Sequence, residues 1–119
     1  MSIGGNIKGT IQTKHFPKDA NGNPVRNSIG EIVMEWKDVQ TIRGWIDLAS
    51  GSSHYTAYAS KVQESTHVFV ADYVPIAEGI QAENSRMTVN GKTYDIMLID
   101  NPMELNRQLE IYLKYTGGI

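Results

Sequence analysis

Arg86-Met87-Thr88-Val89-Asn90-Gly91-Lys92-Thr93-Tyr94-Asp95-Ile96-Met97-Leu98 is the stretch from which the fold can be read. Met87 and Val89 alternate with Arg86 and Thr88, and after Asn90-Gly91 the same period resumes at Tyr94, Ile96 and Leu98. A period of two is the mark of a strand with one buried face. Asn-Gly suits a two-residue type I′ turn, because both residues tolerate positive φ. The stretch is therefore expected to form a β-hairpin.

Reading outward, the next segment has the same character. Leu109, Ile111, Leu113 and Tyr115 point one way, and Gln108, Glu110, Tyr112 and Lys114 the other. Further strands are expected at Lys8–Thr13, Ile32–Lys37, Thr41–Leu48 and Thr66–Val74. In the last, Val68 and Val70 oppose Phe69 and Tyr73, so both faces carry bulk and the outer face invites a second cover. About six short strands divided by turn signals give a mainly β chain forming a small barrel or sandwich. Two segments break the pattern. Phe16–Gly30 contains Asp19-Ala20-Asn21-Gly22-Asn23-Pro24 and reads as a long N-terminal loop. In Gly51–Ser65, Tyr55, Tyr58, Ala59 and Val62 fall at helical spacing behind a candidate N-cap, Ser53, which reads as one short helix or a mobile loop. No internal repeat stands out. Residues 1–6 and 117–119, with their Gly-Gly pairs, read as flexible tails of one domain spanning 1–119.

Composition narrows the function classes. The 119 residues are 40% hydrophobic and 20% charged, with a net charge of −2. That suits one folded domain with one core. Residues 1–50 carry six basic and five acidic groups, and residues 51–119 five and eight. Such a balance argues against a general affinity for nucleic-acid phosphate, which needs clustered Lys and Arg. Cysteine is absent, which excludes disulfides and thiolate metal sites. Met1–Asn6 lacks the apolar core of a secretory signal, and no apolar run approaches the ~20 residues of a membrane span. The expectation is a chain made and used in a cytoplasm, or in something assembled there.

The search for chemistry finds little. Asp19-x-Asn21-x-Asn23 resembles the opening of a calcium loop, but Pro24 stands where that loop needs Gly and Gly30 where it needs Glu. A polar turn is the better reading. His15, His54 and His67 show no metal-ligand spacing. No serine lies in a G-x-S-x-G elbow. Asp95 and Asp100 flank an apolar strand and read as solubilising ends. No catalytic, metal or cofactor-binding residue is expected, and the chain is read as not an enzyme. A small nucleic-acid-binding β-barrel would use aromatic platforms edged by Lys and Arg. In sequence, basic residues do not cluster beside the aromatics, and Trp36, Trp45 and Tyr94 read as core or interface packing.

The second half carries a further pattern. It comprises Ser50-Gly51, Ala57, Thr66-His67-Val68-Phe69-Val70, Asn90-Gly91-Lys92-Thr93-Tyr94-Asp95-Ile96, Asn101 and Leu109-Glu110-Ile111-Tyr112-Leu113. This resembles the bacteriophage head–tail joining family, the head-closure or stopper proteins, over roughly residues 30–116. Ser53 stands where that family often has Glu, and Asp72 where it often has Arg, so an ion pair built on those positions does not carry over. The resemblance implies a small β-barrel that forms a homo-oligomeric ring, twelve-fold by that likeness, beneath the portal of the filled capsid. Such a ring closes the DNA-filled head and presents a surface to the tail. Its partners would be portal or adaptor proteins and tail proteins. DNA would pass through without sequence-specific contact, no membrane would be involved, and the isolated chain would be a monomer. The location would be the virion, after synthesis in the bacterial host cytoplasm. In the family an internal loop points into the channel. Here that place falls on Gly51, Ser52, Ser53, His54, Tyr55, Tyr58, Lys61 and Glu64. Phe16, Asp19, Asn21, Asn23 and Arg26 form the candidate subunit-contact loop. The alternatives are a tail-completion or other neck subunit, and a free nucleic-acid-binding β-barrel.

Overall fold

The computed structural model describes residues 4–48 and 65–118. Six strands are described: β1 Ile7–His15, β2 Glu35–Leu48, β3 His67–Asp72, β4 Ser85–Val89, β5 Lys92–Asp100 and β6 Gln108–Gly118. They form a closed barrel in the order β1-β2-β3-β6-β5-β4, with every neighbour antiparallel. The mainly β barrel expected from the alternation is the fold. The two residues of the β4–β5 turn, Asn90 and Gly91, have φ of 52° and 78°, as a type I′ turn requires.

Four features differ from the sequence reading. Leu98, expected in phase with Tyr94 and Ile96, follows a bulge at Met97 and pairs with the outward-facing Tyr112, so it lies on the outer wall. The two strands expected at Ile32–Lys37 and Thr41–Leu48 are one, the 14-residue β2. Ile11 pairs with Gln40 but Gln12 pairs with Asp38, so Val39 bulges out and the pattern changes phase without ending the strand. β6 continues through Gly117 and Gly118, which pair with Thr93 and Lys92, where the sequence suggested a tail. Among the described residues, helix is limited to two 3₁₀ turns, Ala82–Asn84 and Pro102–Glu104. The helix or loop expected at Gly51–Ser65 lies, except for Ser65, outside the described residues.

The core fills the barrel. Ile11, Phe69, Ala71, Met87, Ile111 and Leu113 have no exposed surface, and Ile42, Val89, Tyr94, Ile96 and Leu109 are nearly as buried. Two glycines make room for the Phe69 ring. A Cβ on Gly9 or Gly44 would sit 3.1 or 3.0 Å from a ring carbon of Phe69. One end of the barrel is closed by residues 73–82, of which Tyr73, Val74, Ile76, Ile80 and Ala82 pack on the core. Gln40 holds this segment, donating from Nε2 to the Pro75 carbonyl at 2.9 Å and accepting from the Ala77 N–H at 2.8 Å. At the other end Tyr94 lies against His67, with ring centroids 5.1 Å apart, and against Tyr115 at 5.4 Å.

Strand direction fixes where the connections emerge. β1 runs toward the end closed by residues 73–82, and β2 starts from it, so residues 16–34 leave the barrel there. β2 finishes at the opposite end, where Leu48 pairs with His67.

Candidate interaction surfaces

Residues 16–34 form an arm made of two equivalent turns. Asp19 Oδ1 accepts from the N–H groups of Asn21 and Asn23, at 2.9 and 3.0 Å. Asn27 Oδ1 accepts in the same way from Ile29 and Glu31, at 3.1 and 3.0 Å. Each turn has a glycine at its fourth residue, Gly22 at φ 81° and Gly30 at φ 87°. Backbone bridges Lys18–Pro24 and Arg26–Ile32 close them, and bonds from Val25 N to Pro17 O and Val33 N to Val25 O stack one turn on the next. Short Asp and Asn side chains mimic a backbone turn in this way. The local repeat DANGN/NSIGE was missed in the sequence because its two copies share only the glycine and the spacing of an Asp or Asn before it. Asp19, Asn21 and Asn23 thus build a turn, and the Asp19 carboxylate is directed at backbone amides.

The arm is ordered internally yet buries little. Phe16 is 50% exposed, Ile29 76%, and Ile32 and Met34 are also open to solvent. Arg26 reaches back to the Gly30 carbonyl at 2.8 Å, a neutral acceptor that leaves its charge uncompensated. The candidate contact residues Phe16, Asp19, Asn21, Asn23 and Arg26 therefore share one projecting structure. Ile29 was not singled out in sequence, since a lone apolar residue in a polar loop carries no periodic signal. The loop 101–107 projects from the same end. Its Met103, Glu104 and Asn106 all have φ near 55°, a left-handed conformation disfavoured for residues with a Cβ. Asn101 holds it, accepting from Asn106 N and donating to Asn106 Oδ1. Met103 and Leu105 are exposed at its tip.

A second surface lies on the outer wall. The register sets Trp45 beside Val70, Val70 beside Glu110, and Glu110 beside Asp100. Two residues along, Asp47, Val68, Tyr112 and Leu98 form a parallel row. Side chains alternate along a strand, so with Phe69 and Ala71 inward, Val68 and Val70 face out. The result is an apolar stripe crossing β2, β3, β6 and β5, edged by carboxylates. Trp45, read in sequence as core or interface packing, is 49% exposed and so lies outside the core. Glu110 accepts from the Tyr112 hydroxyl at 2.9 Å and from Gln108 Nε2 at 2.6 Å. Burial, then the hydrogen bond to Glu110 and the nearby Glu110 and Asp100 charges, push the Tyr112 phenol up to about 12. Burial, reinforced by Glu110, raises the Asp100 carboxyl above its ordinary value. These two carboxylates therefore crowd one another on a partly desolvated wall.

Trp36 corrects one sequence expectation. The Arg86 guanidinium lies 4.3 Å from its ring centroid and the Lys14 ammonium 6.0 Å away, so two basic groups do meet an aromatic face. Arg86 also donates from Nε to Gln12 Oε1 at 2.7 Å, and Gln12 donates to Asp38 at 2.7 Å. Register partners Asp38 and Asp95 bracket this cluster, which offsets its positive charge. Of the histidines, His15 is exposed at the end of β1 and His67 packs on Tyr94. Among the described residues no group of His, Asp and Glu is arranged to hold a metal. The candidate channel residues Gly51, Ser52, Ser53, His54, Tyr55, Tyr58, Lys61 and Glu64 lie outside the described residues.

No protein-family profile and no curated protein matches the chain. Among solved structures it is similar to the solution structure of protein SF1141 from Shigella flexneri 2a, at 22% identity and a TM-score of 0.59, covering 96% of this chain and 95% of that one. A likeness at that identity extends to the fold.

Proposed function

We propose that this chain is a structural subunit of a phage or prophage head–tail connector, one copy in a ring below the portal that closes the DNA-filled capsid and receives the tail. The observation that carries the reading is a side-chain-filled barrel that presents exposed apolar residues, on the arm 16–34 and the loop 101–107, at one end. Such a subunit offers a contact surface at one end of its barrel axis. Its own interior is packed, so a channel would come from the ring and not from the barrel. The exposed Phe16, Ile29, Met103 and Leu105 at one end suit docking on another protein. The sequence resemblance over residues 30–116 supplies the identity of the assembly. The same features serve a tail-completion subunit, which differs in its place along the neck.

Disrupting the gene in the phage or prophage that encodes the chain tests the reading. A head-closure subunit leaves heads that package DNA and then lose it, without tails. A tail-completion subunit leaves stable full heads beside unattached tails. Normal tailed particles would overturn both. A second reading, a nucleic-acid-binding barrel, is favoured by the two basic groups, Arg86 and Lys14, over the Trp36 ring. Tight, salt-sensitive binding of DNA by the monomer, lost in Trp36→Ala, would establish it in place of the connector.

A further inference from the structure

We infer that the arm of one copy docks on the outer stripe of the next, so that the subunit carries both halves of a head-to-tail contact. The inference deepens the proposed ring and rests on it for its biological setting. Its chemical basis lies within the chain. The arm offers an exposed apolar tip, Ile29 and Ile32, on a hydrogen-bonded frame. Being ordered already, it loses little conformational entropy on docking. The stripe of Trp45, Val68, Val70, Leu98 and Tyr112 offers apolar surface of matching kind.

Charge selects the pairing. Beside the tip, Arg26 is bonded to a neutral carbonyl. On the stripe, Asp100 and Glu110 are register partners, and Glu110 is bonded to the neutral groups of Tyr112 and Gln108. A guanidinium brought to that carboxylate pair would compensate both, in the bidentate geometry Arg favours. Among the described residues no hydrogen bond joins the two surfaces within one copy: Arg26 is bonded to Gly30, and Glu110 to Tyr112 and Gln108. A contact between two different patches is heterologous, and repeated it gives a ring where the rotation closes.

The absence of cysteine allows a direct test. Ile29→Cys and Val70→Cys variants, each single, are mixed in equal amounts and oxidised mildly. The expected result is a mixed disulfide dimer several-fold above the dimer from either variant alone. Asp100→Lys in the Val70→Cys chain should lower that yield several-fold, and Arg26→Glu in the Ile29→Cys chain should restore it. Cooperative thermal unfolding shows that the variants fold, and Leu98→Cys serves if Val70→Cys does not. A mixed yield no higher than the single-variant yields overturns the inference, as does failure of the charge swap to restore it. The ring reading is separable by linking the same pair inside purified particles. Particles that contain the chain without the linkage sink this contact and leave the ring. A linkage in solution, with the chain absent from particles, sinks the ring and leaves the contact.

Discussion

Gly44 is a place in the wall where a single hydrogen atom matters. A Cβ there would overlap the Val70 carbonyl and come within 2.9 Å of the Ala71 methyl. At Gly9 the nearest atom is the Met87 sulfur, at 2.8 Å, which sits near the end of a flexible side chain and moves at less cost. Gly44→Ala is therefore expected to destabilise by at least about 2 kcal/mol, and clearly more than Gly9→Ala, in urea unfolding. A glycine inside a strand does signal close approach, but the sequence does not say to what. Asp100 is the opposite case, a residue the fold tolerates. Its folded pKa is raised, so its contribution to stability is fully present below the unfolded value and is lost as pH rises through the folded one. Asp100→Asn should then stabilise near neutrality, by up to about 0.5 kcal/mol, and give no gain at strongly acid pH. Unfolding midpoints at the two pH values check this.

At the scale of elements, the hairpin and β6 were legible because period and turn chemistry agree in them as far as Ile96, beyond which a bulge at Met97 turns Leu98 outward. Asn90 and Gly91 pre-set the turn, and Leu109, Ile111 and Leu113 have one face to bury. β2 was only half legible. The Val39 bulge shifts its phase, and a phase shift looks in sequence like two strands. The arm was legible as a polar break and illegible as a structure, because its order comes from side-chain-to-backbone bonds of Asp19 and Asn27 rather than from apolar spacing. That origin makes a prediction. Asn27→Ala removes the acceptor for two backbone N–H groups, and should loosen the arm while leaving the barrel nearly as stable, within about 1 kcal/mol. Hydrogen exchange should accelerate at Ile29 and Glu31 and stay slow at Ile111. The loop 101–107 behaves differently, since its backbone is strained. Met103→Gly should keep the fold or stabilise it by up to about 1 kcal/mol, and at the same time remove an exposed side chain. Thermal unfolding of that variant separates a folding role from a docking role at the tip.

For the whole molecule, the physical logic is a filled barrel that spends its sequence variety outside the core. The interior holds side chains and no described metal-ligand cluster. The distinctive surfaces are an apolar-tipped arm, a strained apolar loop beside it, and an apolar stripe edged by carboxylates. The stripe was not legible in advance: its members come from β2, β3, β6 and β5, and only the register makes them neighbours. The resemblance to head-closure proteins rests on the same hairpin and β6 that fixed the fold, so it speaks first to architecture. The central claim, a subunit that works by assembly in the neck of a virus particle, is tested most directly on purified particles. The measurement is electron microscopy of DNA-filled heads from wild type and from a strain lacking the chain, with quantitative mass spectrometry for its copy number. The account predicts the chain in wild-type particles at a ring-like multiple per portal, and in its absence tailless heads that have lost their DNA. Tailed, DNA-filled particles assembled without the chain would contradict it.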